Sequence, residues 1–178
     1  MNYETLLKVT NALSMSKDPK EIIRITVDNI KETLNMKGCA LYLINEDTDE
    51  FELAAANGLS EDYLGKGPVS VSRPVAKSLA EGPMAIYDTQ DDPRVQYPEA
   101  AKKEGIVSSL SVPIYVRGDV IGAMRVYTAD HWDFTIEDVN FVQALAEIAG
   151  MVIDLTRLIQ GQNEYIDVLE TLKEAREM

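Results

Sequence analysis

The first apolar positions fall at helical spacing: Leu6, Leu7, Val9 and Leu13 predict an amphipathic helix over residues 2–15. A second helix is expected at once. Asp18 supplies an N-cap, Pro19 suits the first turn and Glu21 stands where a capping-box acid would. Its stripe is Ile22, Ile23, Ile25, Val27, Ile30 and Leu34, and it should end near residues 35–38. From Cys39 the period shortens to two, since ALYLINEDTDEFELAAANG alternates around a polar turn at residues 46–49, as a β-hairpin does. Residues 59–82 are mixed: LSEDYLGKG reads as a turn-rich loop, PVSVS as a short strand and residues 73–81 as a short helix. MAIYDTQ, from Met84, reads as another strand, and DDPRVQYPEAAKKEG as a loop carrying a small helix over residues 98–104.

SLSVPIYVRGDVIGAMRVYT, residues 109–128, reads as two strands around an Arg117-Gly118-Asp119 turn. With Val116 opposite Val120, the register pairs Ile114 with Gly122, Val112 with Met124 and Leu110 with Val126, placing the large apolar residues on one face. The other face then carries Ser109 opposite Tyr127 and Ser111 opposite Arg125. Two readings of that polar face stand open. It is a solvated face, as antiparallel hairpins commonly have, or it is a pocket wall in which Arg125 meets a carboxylate or phosphate and the hydroxyls donate hydrogen bonds. The long irregular chain between the second and fifth strands must cover something, which favours the wall.

After the DHWDF loop, Thr135 and Asp138 form a capping-box variant. One long helix follows, with Ile136, Val139, Val142, Leu145, Ile148, Val152 and Leu155 as its predicted buried face. Beyond Leu158, Tyr165, Leu169 and Leu172 continue at coiled-coil spacing, interrupted by Gly161 and Gln162. The expected organisation is one α+β domain over residues 1–159 and a helical extension over residues 160–178 that could pair with a second copy.

Composition narrows the chemistry. Seventeen basic against 30 acidic residues leave a formal charge of -13, which disfavours nucleic acid and anionic membranes as partners. The sequence starts without a basic leader ahead of an apolar run, and no stretch is long enough to span a bilayer, so a cytoplasmic location is expected. The lone Cys39 reads as a buried small hydrophobe and the lone His131 as a surface loop residue, which leaves no parts for a thiolate cluster, a multi-histidine site or covalent catalysis. The acidic run Glu46, Asp47, Asp49 and Glu50 reads as a solvated turn rather than a calcium loop. Residues 65–67 lack the Gly-Lys-Ser of a phosphate loop. Asp88 could form a salt bridge with Arg125, or the two could clamp a zwitterion between them.

Three segments carry a family resemblance: IYDTQDDPR at residues 86–94, GIVSSLSVPIYVRGDVIGAMRVY at residues 105–127 and DFTIEDVNFVQALAEIAGMVI at residues 133–153. In kind, order and spacing the chain from about Gly38 to Leu158 resembles a GAF domain, a small-molecule sensor module related in architecture to PAS domains. The resemblance implies an antiparallel sheet with the N- and C-terminal helices on one face and a roof of loops and short helices over a ligand pocket on the other. It implies that Ser109, Ser111, Arg125 and Tyr127 point inward, with Tyr63, Val69, Val75, Tyr87, Asp88, Arg94 and Tyr97 contributed by the roof. The Asn-Lys-Phe-Asp-Glu constellation of cyclic-nucleotide-binding members cannot be threaded through this chain. Neither the placed cysteine or histidine of bilin-binding members nor the pocket cysteines of methionine-sulfoxide reductase members are found.

The expectation is therefore a non-enzymatic sensor with no catalytic residues, no metal and no cofactor. It would bind a small anionic or zwitterionic molecule and pass the event through its terminal helices to an output protein or a homodimer interface. The alternative is a ligand-free dimerisation or protein-interaction module.

Overall fold

Two N-terminal helices, α1 (Tyr3–Met15) and α2 (Pro19–Thr33), precede a sheet and a long final helix in the computed structural model, which describes residues 3–16, 18–70, 79 and 81–177. Asp18 caps α2 by accepting the Lys20 N–H, but the box does not close on Glu21, whose carboxylate instead accepts the Ser16 hydroxyl. Leu34 ends the helix, and Asn35 follows with a φ of 51°. The Met36 N–H then reaches the Lys31 carbonyl and the Asn35 N–H that of Glu32, the two bonds of a Schellman stop. Ile22, Ile23, Val27 and Ile30 are buried as their spacing predicts; Thr26 joins them because its hydroxyl donates to the Ile22 carbonyl.

Strands β1 (Gly38–Asn45), β2 (Glu50–Asn57), β3 (Val69–Ser70), β4 (Met84–Ile86), β5 (Ser108–Val116) and β6 (Asp119–Thr128) form one antiparallel sheet in the order β3-β2-β1-β6-β5-β4. The first hairpin turns where the alternation breaks, with the Asn45 side chain accepting the N–H groups of Asp47 and Thr48. LSEDYLGKG is more ordered than its composition implies. It holds a one-turn helix, α3 (Glu61–Leu64), because the Ser60 hydroxyl caps the Tyr63 N–H and Glu104 in turn accepts from Ser60. A four-residue helix is too short to leave a periodic signature. The predicted helix at residues 73–81 lies almost wholly outside the described residues. Helix α4 (Pro98–Glu104) falls where expected and ends on Gly105 at a φ of 75°.

The β5–β6 connection corrects the expected three-residue turn. Arg117 and Gly118, with φ of 52° and 94°, make a two-residue turn that sets Val116 opposite Asp119. A bulge at Ile121 then restores the predicted register, so Ile114 meets Gly122, Ser111 meets Arg125 and Ser109 meets Tyr127. Leu110, Val112, Ile114, Met124 and Val126 lie in the main core with Cys39 and Leu41 of β1, under α1, α2 and the last helix.

That helix, α5 (Ile136–Glu177), starts on the predicted reciprocal cap between Thr135 and Asp138. Its buried residues are Phe141, Val142, Leu145, Ala146, Ile148, Ala149, Val152 and Ile153. Of the predicted face, Val139 is only partly buried against the core, and Ile136 and Leu155 are 79% and 59% exposed: Ile136 precedes the sheet contact and Leu155 has passed beyond it. Gly150 lets α5 approach β5 closely, since a Cβ there would stand 2.8 Å from the Tyr115 carbonyl oxygen. The helix runs unbroken through Gly161 and Gln162 and keeps Tyr165, Ile166, Val168 and Leu169 exposed; the Leu172 side chain lies outside the description. Among the described residues no helix is long and apolar enough to cross a membrane.

Candidate functional site

The second sheet face is covered rather than wet. Ala40, Tyr42, Phe51, Ala123 and Tyr127 pack with Tyr63, Val69, Leu79, Ala101 and Ile106 into a second apolar cluster. Within it Ser109, Ser111 and Arg125 are buried, which removes the solvated-face reading. Strand alternation is the cause: Met124 and Val126 face the helices, so Arg125 between them faces the roof.

A cavity of about 60 Å³ lies between this face and the roof. By size it suits a few waters or a small ion, and a larger ligand would have to widen it. Of the residues expected there, Ser109, Ser111, Arg125, Tyr127, Tyr63, Val69, Arg94 and Tyr97 line it. Val75 lies outside the described residues. Tyr87 and Asp88 do not line it, because the chain turns outward after β4: Tyr87 is 55% exposed and stacks on His131 at 4.8 Å, and Asp88 pairs with His131 Nε2 at 2.9 Å. The hydrogen bond from His131 is the main cause holding the Asp88 carboxyl below its usual range. Of the two roles open to Asp88, a salt bridge with Arg125 or a zwitterion clamp shared with it, the structure shows neither contact: Asp88 pairs with His131 instead.

Arg125 is 9% exposed, with its guanidinium over the rings of Tyr42 and Phe51 at 5.3 and 5.4 Å. Its Nε and Nη2 atoms have no hydrogen-bond partner among the described residues. Arg94 is spent differently, since Asp92 accepts from its Nε at 2.9 Å and from its Nη2 at 2.6 Å. Tyr97 and Gln96 donate to the Pro68 carbonyl at 2.6 and 2.9 Å, fastening the roof. Tyr63 meets Tyr127 edge to face at 5.7 Å.

Sequence reasoning missed Lys66, whose Nζ lies 4.0 Å from the Tyr63 ring centre and donates to the Tyr63 carbonyl at 3.2 Å. Nothing in a loop lysine announces this. Also missed were the apolar lining from Met84, Ile86, Val95 and Ile106, and Thr89 and Gln96; Met84 and Ile86 could have been found by continuing the β5 pairing into β4, where they oppose Ser111 and Ser109.

The electrostatics follow from burial. It is the main cause pushing the Tyr42 and Tyr127 phenols far above their usual range, with Tyr127 adding at Tyr42, Tyr63 adding at Tyr127, and Arg125 opposing at both. Tyr63 is pushed up to about 12, first by burial and then by Tyr42. The Lys66 amine is pulled down to about 8, first by burial and then by Arg125, with Glu104 opposing. At neutral pH the cavity thus presents the neutral phenols of Tyr63 and Tyr127 and three cations, Arg125, Lys66 and the Asp92-paired Arg94, and no carboxylate lines it among the described residues. Cys39 sits in the main core, its Sγ 3.8 Å from Met124 Sδ, where burial above all raises its thiol. Among the described residues no group of three or more His, Cys, Asp and Glu could hold a metal ion.

The family model described as GAF domain matches residues 16–154. No curated protein matches the chain. Among solved structures it is similar to the GAF domain of a phosphoenolpyruvate-protein phosphotransferase from Coxiella burnetii, at 19% identity and TM-score 0.78 over 89% of this chain and 96% of that one. It is similar to free methionine-R-sulfoxide reductase from Neisseria meningitidis in complex with its substrate, at 20% identity and TM-score 0.74 over 88% and 90%. A blue-light absorbing GAF domain from Thermosynechococcus elongatus matches at 12% identity and TM-score 0.69 over 85% and 94%. Similarity at these identities shows a common fold. The chain belongs to the GAF domain family, the sensor and ligand-binding modules of signalling proteins.

Proposed function

We propose that this GAF domain is a sensor that binds a small anion through Arg125 and relays the event to α5. The observation that carries this is a buried guanidinium lining a cavity with two nitrogens unpartnered among the described residues. A buried donor without an acceptor is costly, and an anion accepting from it removes that cost. Ser109, Ser111 and Tyr127 supply further hydroxyls to the same space. The zwitterion clamp loses its support with Asp88 turned to His131. Binding rather than catalysis is favoured because neither Cys39 nor His131 lines the cavity. The cytoplasmic location expected from the sequence belongs to the same proposal.

The relay is short. Ser111 and Arg125 face the cavity while their neighbours Val112 and Met124 sit in the core with α5, so a ligand that draws β5 and β6 together acts on the helix through one layer of side chains. Beyond residue 159 the helix would serve as the extension that carries this to a second copy or an output protein.

Isothermal titration with acetate and sulfate tests the site. Arg125→Ala should weaken any anion bound there at least about tenfold, the loss of a charge-assisted hydrogen bond; affinity untouched by the substitution would sink the assignment. The second reading, a ligand-free dimerisation module, is favoured by Leu155, Leu158, Ile159, Tyr165 and Ile166, all exposed on α5.

A further inference from the structure

Two cations share the cavity although they come from different layers. Arg125 projects from β6 in the sheet, and Lys66 follows α3 in the roof. Both approach one ring, Arg125 Cζ standing 5.3 Å and Lys66 Nζ 6.0 Å from the centre of Tyr42. The acid nearest in effect to Lys66 is Glu104, and that carboxylate is already engaged: it accepts from the Ser60 N–H at 2.9 Å and from the Ser60 hydroxyl, and pairs with Lys37 Nζ at 3.6 Å. Arg94, the third cation on the lining, is closed off by Asp92. The free positive charge facing the cavity is thus two among the described residues, with no carboxylate on the lining to balance it.

Like charges in a poorly solvated space repel, and a single negative charge leaves one of them uncompensated. We infer that the cavity selects compact dianions, with Arg125 holding one set of anionic oxygens and Lys66 another, so that the ligand ties the roof segment after α3 to the sheet. The inference rests on the reading of the cavity as an anion site and adds to it the charge of the ligand and the part played by Lys66. The chemistry is that of a tetrahedral oxyanion dianion, which the cavity's size admits, or of a small dicarboxylate, for which the cavity would have to widen, and the hydroxyls of Ser109, Ser111 and Tyr127 can satisfy either further. A dianion also suits the amine, whose proton is loosened first by burial and then by the guanidinium and would be held again by the second negative charge.

The experiment pairs each dianion with a monoanion that shares its oxyanion group, malonate with acetate and tetrahedral sulfate with tetrahedral perchlorate, titrated calorimetrically at constant ionic strength and pH 7. The wild-type chain should bind malonate or sulfate at least about tenfold more tightly than its monoanionic partner. Lys66→Met and Lys66→Gln, checked for folding by circular dichroism, should weaken the dianion more than the monoanion and so bring that ratio close to one, and Lys66→Arg should restore it. Equal affinity for dianion and monoanion in the wild type overturns this inference and leaves Arg125 as an anion site. So does a preference that survives both neutral substitutions. Binding of none of the four anions overturns both readings together.

Discussion

Arg125 is the residue at which stability and function pull apart. Its Nε and Nη2, unpartnered among the described residues, are buried among apolar and aromatic side chains, and the rings of Tyr42 and Phe51 offset only part of that desolvation. Arg125→Met, which keeps the volume and drops the charge, should therefore raise the thermal midpoint of the anion-free protein, by the equivalent of about 1–2 kcal/mol, while abolishing anion binding; scanning calorimetry in low-anion buffer checks it. Lys66 predicts a pH dependence of definite sign. Its amine falls from an ordinary 10.5 to about 8 in the folded chain. Below pH 8 both folded and unfolded states hold the proton, and burying the charge destabilises the fold. Between pH 8 and about 10.4 the unfolded state binds more protons, so stability rises with pH. Urea unfolding of wild type and Lys66→Met should show the wild type gaining on the variant across that window, by at most about 3 kcal/mol and less where water reaches the amine. Tyr63, pushed up to about 12, acts in the opposite sense above pH 10, so the comparison is read below it.

Among the elements, α5 shows how the same residue type can have opposite consequences. At Gly150 a methyl group would meet the Tyr115 carbonyl oxygen at 2.8 Å and Ile114 Cγ2 at 3.1 Å, and a backbone atom cannot step aside cheaply. Gly150→Ala should destabilise the domain by about 1–3 kcal/mol despite its better helix propensity. At Gly161 nothing lies within 4 Å, so Gly161→Ala should stabilise the helix by roughly 0.5–1 kcal/mol. Denaturant midpoints of the two variants, moving in opposite directions, check both. The last hairpin shows how a register can survive a misread turn. The alternation of Leu110, Val112, Met124 and Val126 dictates which residues face the helices, and the chain absorbs the shorter Arg117-Gly118 turn by bulging at Ile121. Burial of a whole face constrains register more strongly than turn geometry does.

For the whole molecule, α5 extends past the core it packs on, and its large apolar residues Leu155, Leu158, Ile159, Tyr165, Ile166, Val168 and Leu169 are exposed. Ending the chain after Ile159 should leave the sheet and cavity folded and, if a second copy docks along α5, convert a dimer to a monomer by light scattering; a dimer that survives would shift the contact to α1, where Leu7 is exposed. The outline of this architecture was legible in one dimension because local periodicity follows from burial. Helix α2, the two long hairpins and the start of α5 each carry a run long enough to show which face is apolar, and Ser109, Ser111, Arg125 and Tyr127 stood out as the polar residues of an otherwise apolar hairpin. What the hairpin faces was beyond that reading, since a wet face and a roofed one have the same alternation until other elements are laid over them. The tertiary structure alone buried Arg125 without a partner among the described residues, turned Tyr87 and Asp88 outward to His131, and brought Lys66 over Tyr63. Each of those outcomes depends on contacts between segments distant in sequence, where the position of one side chain is set by a neighbour that its own surroundings in the chain do not name.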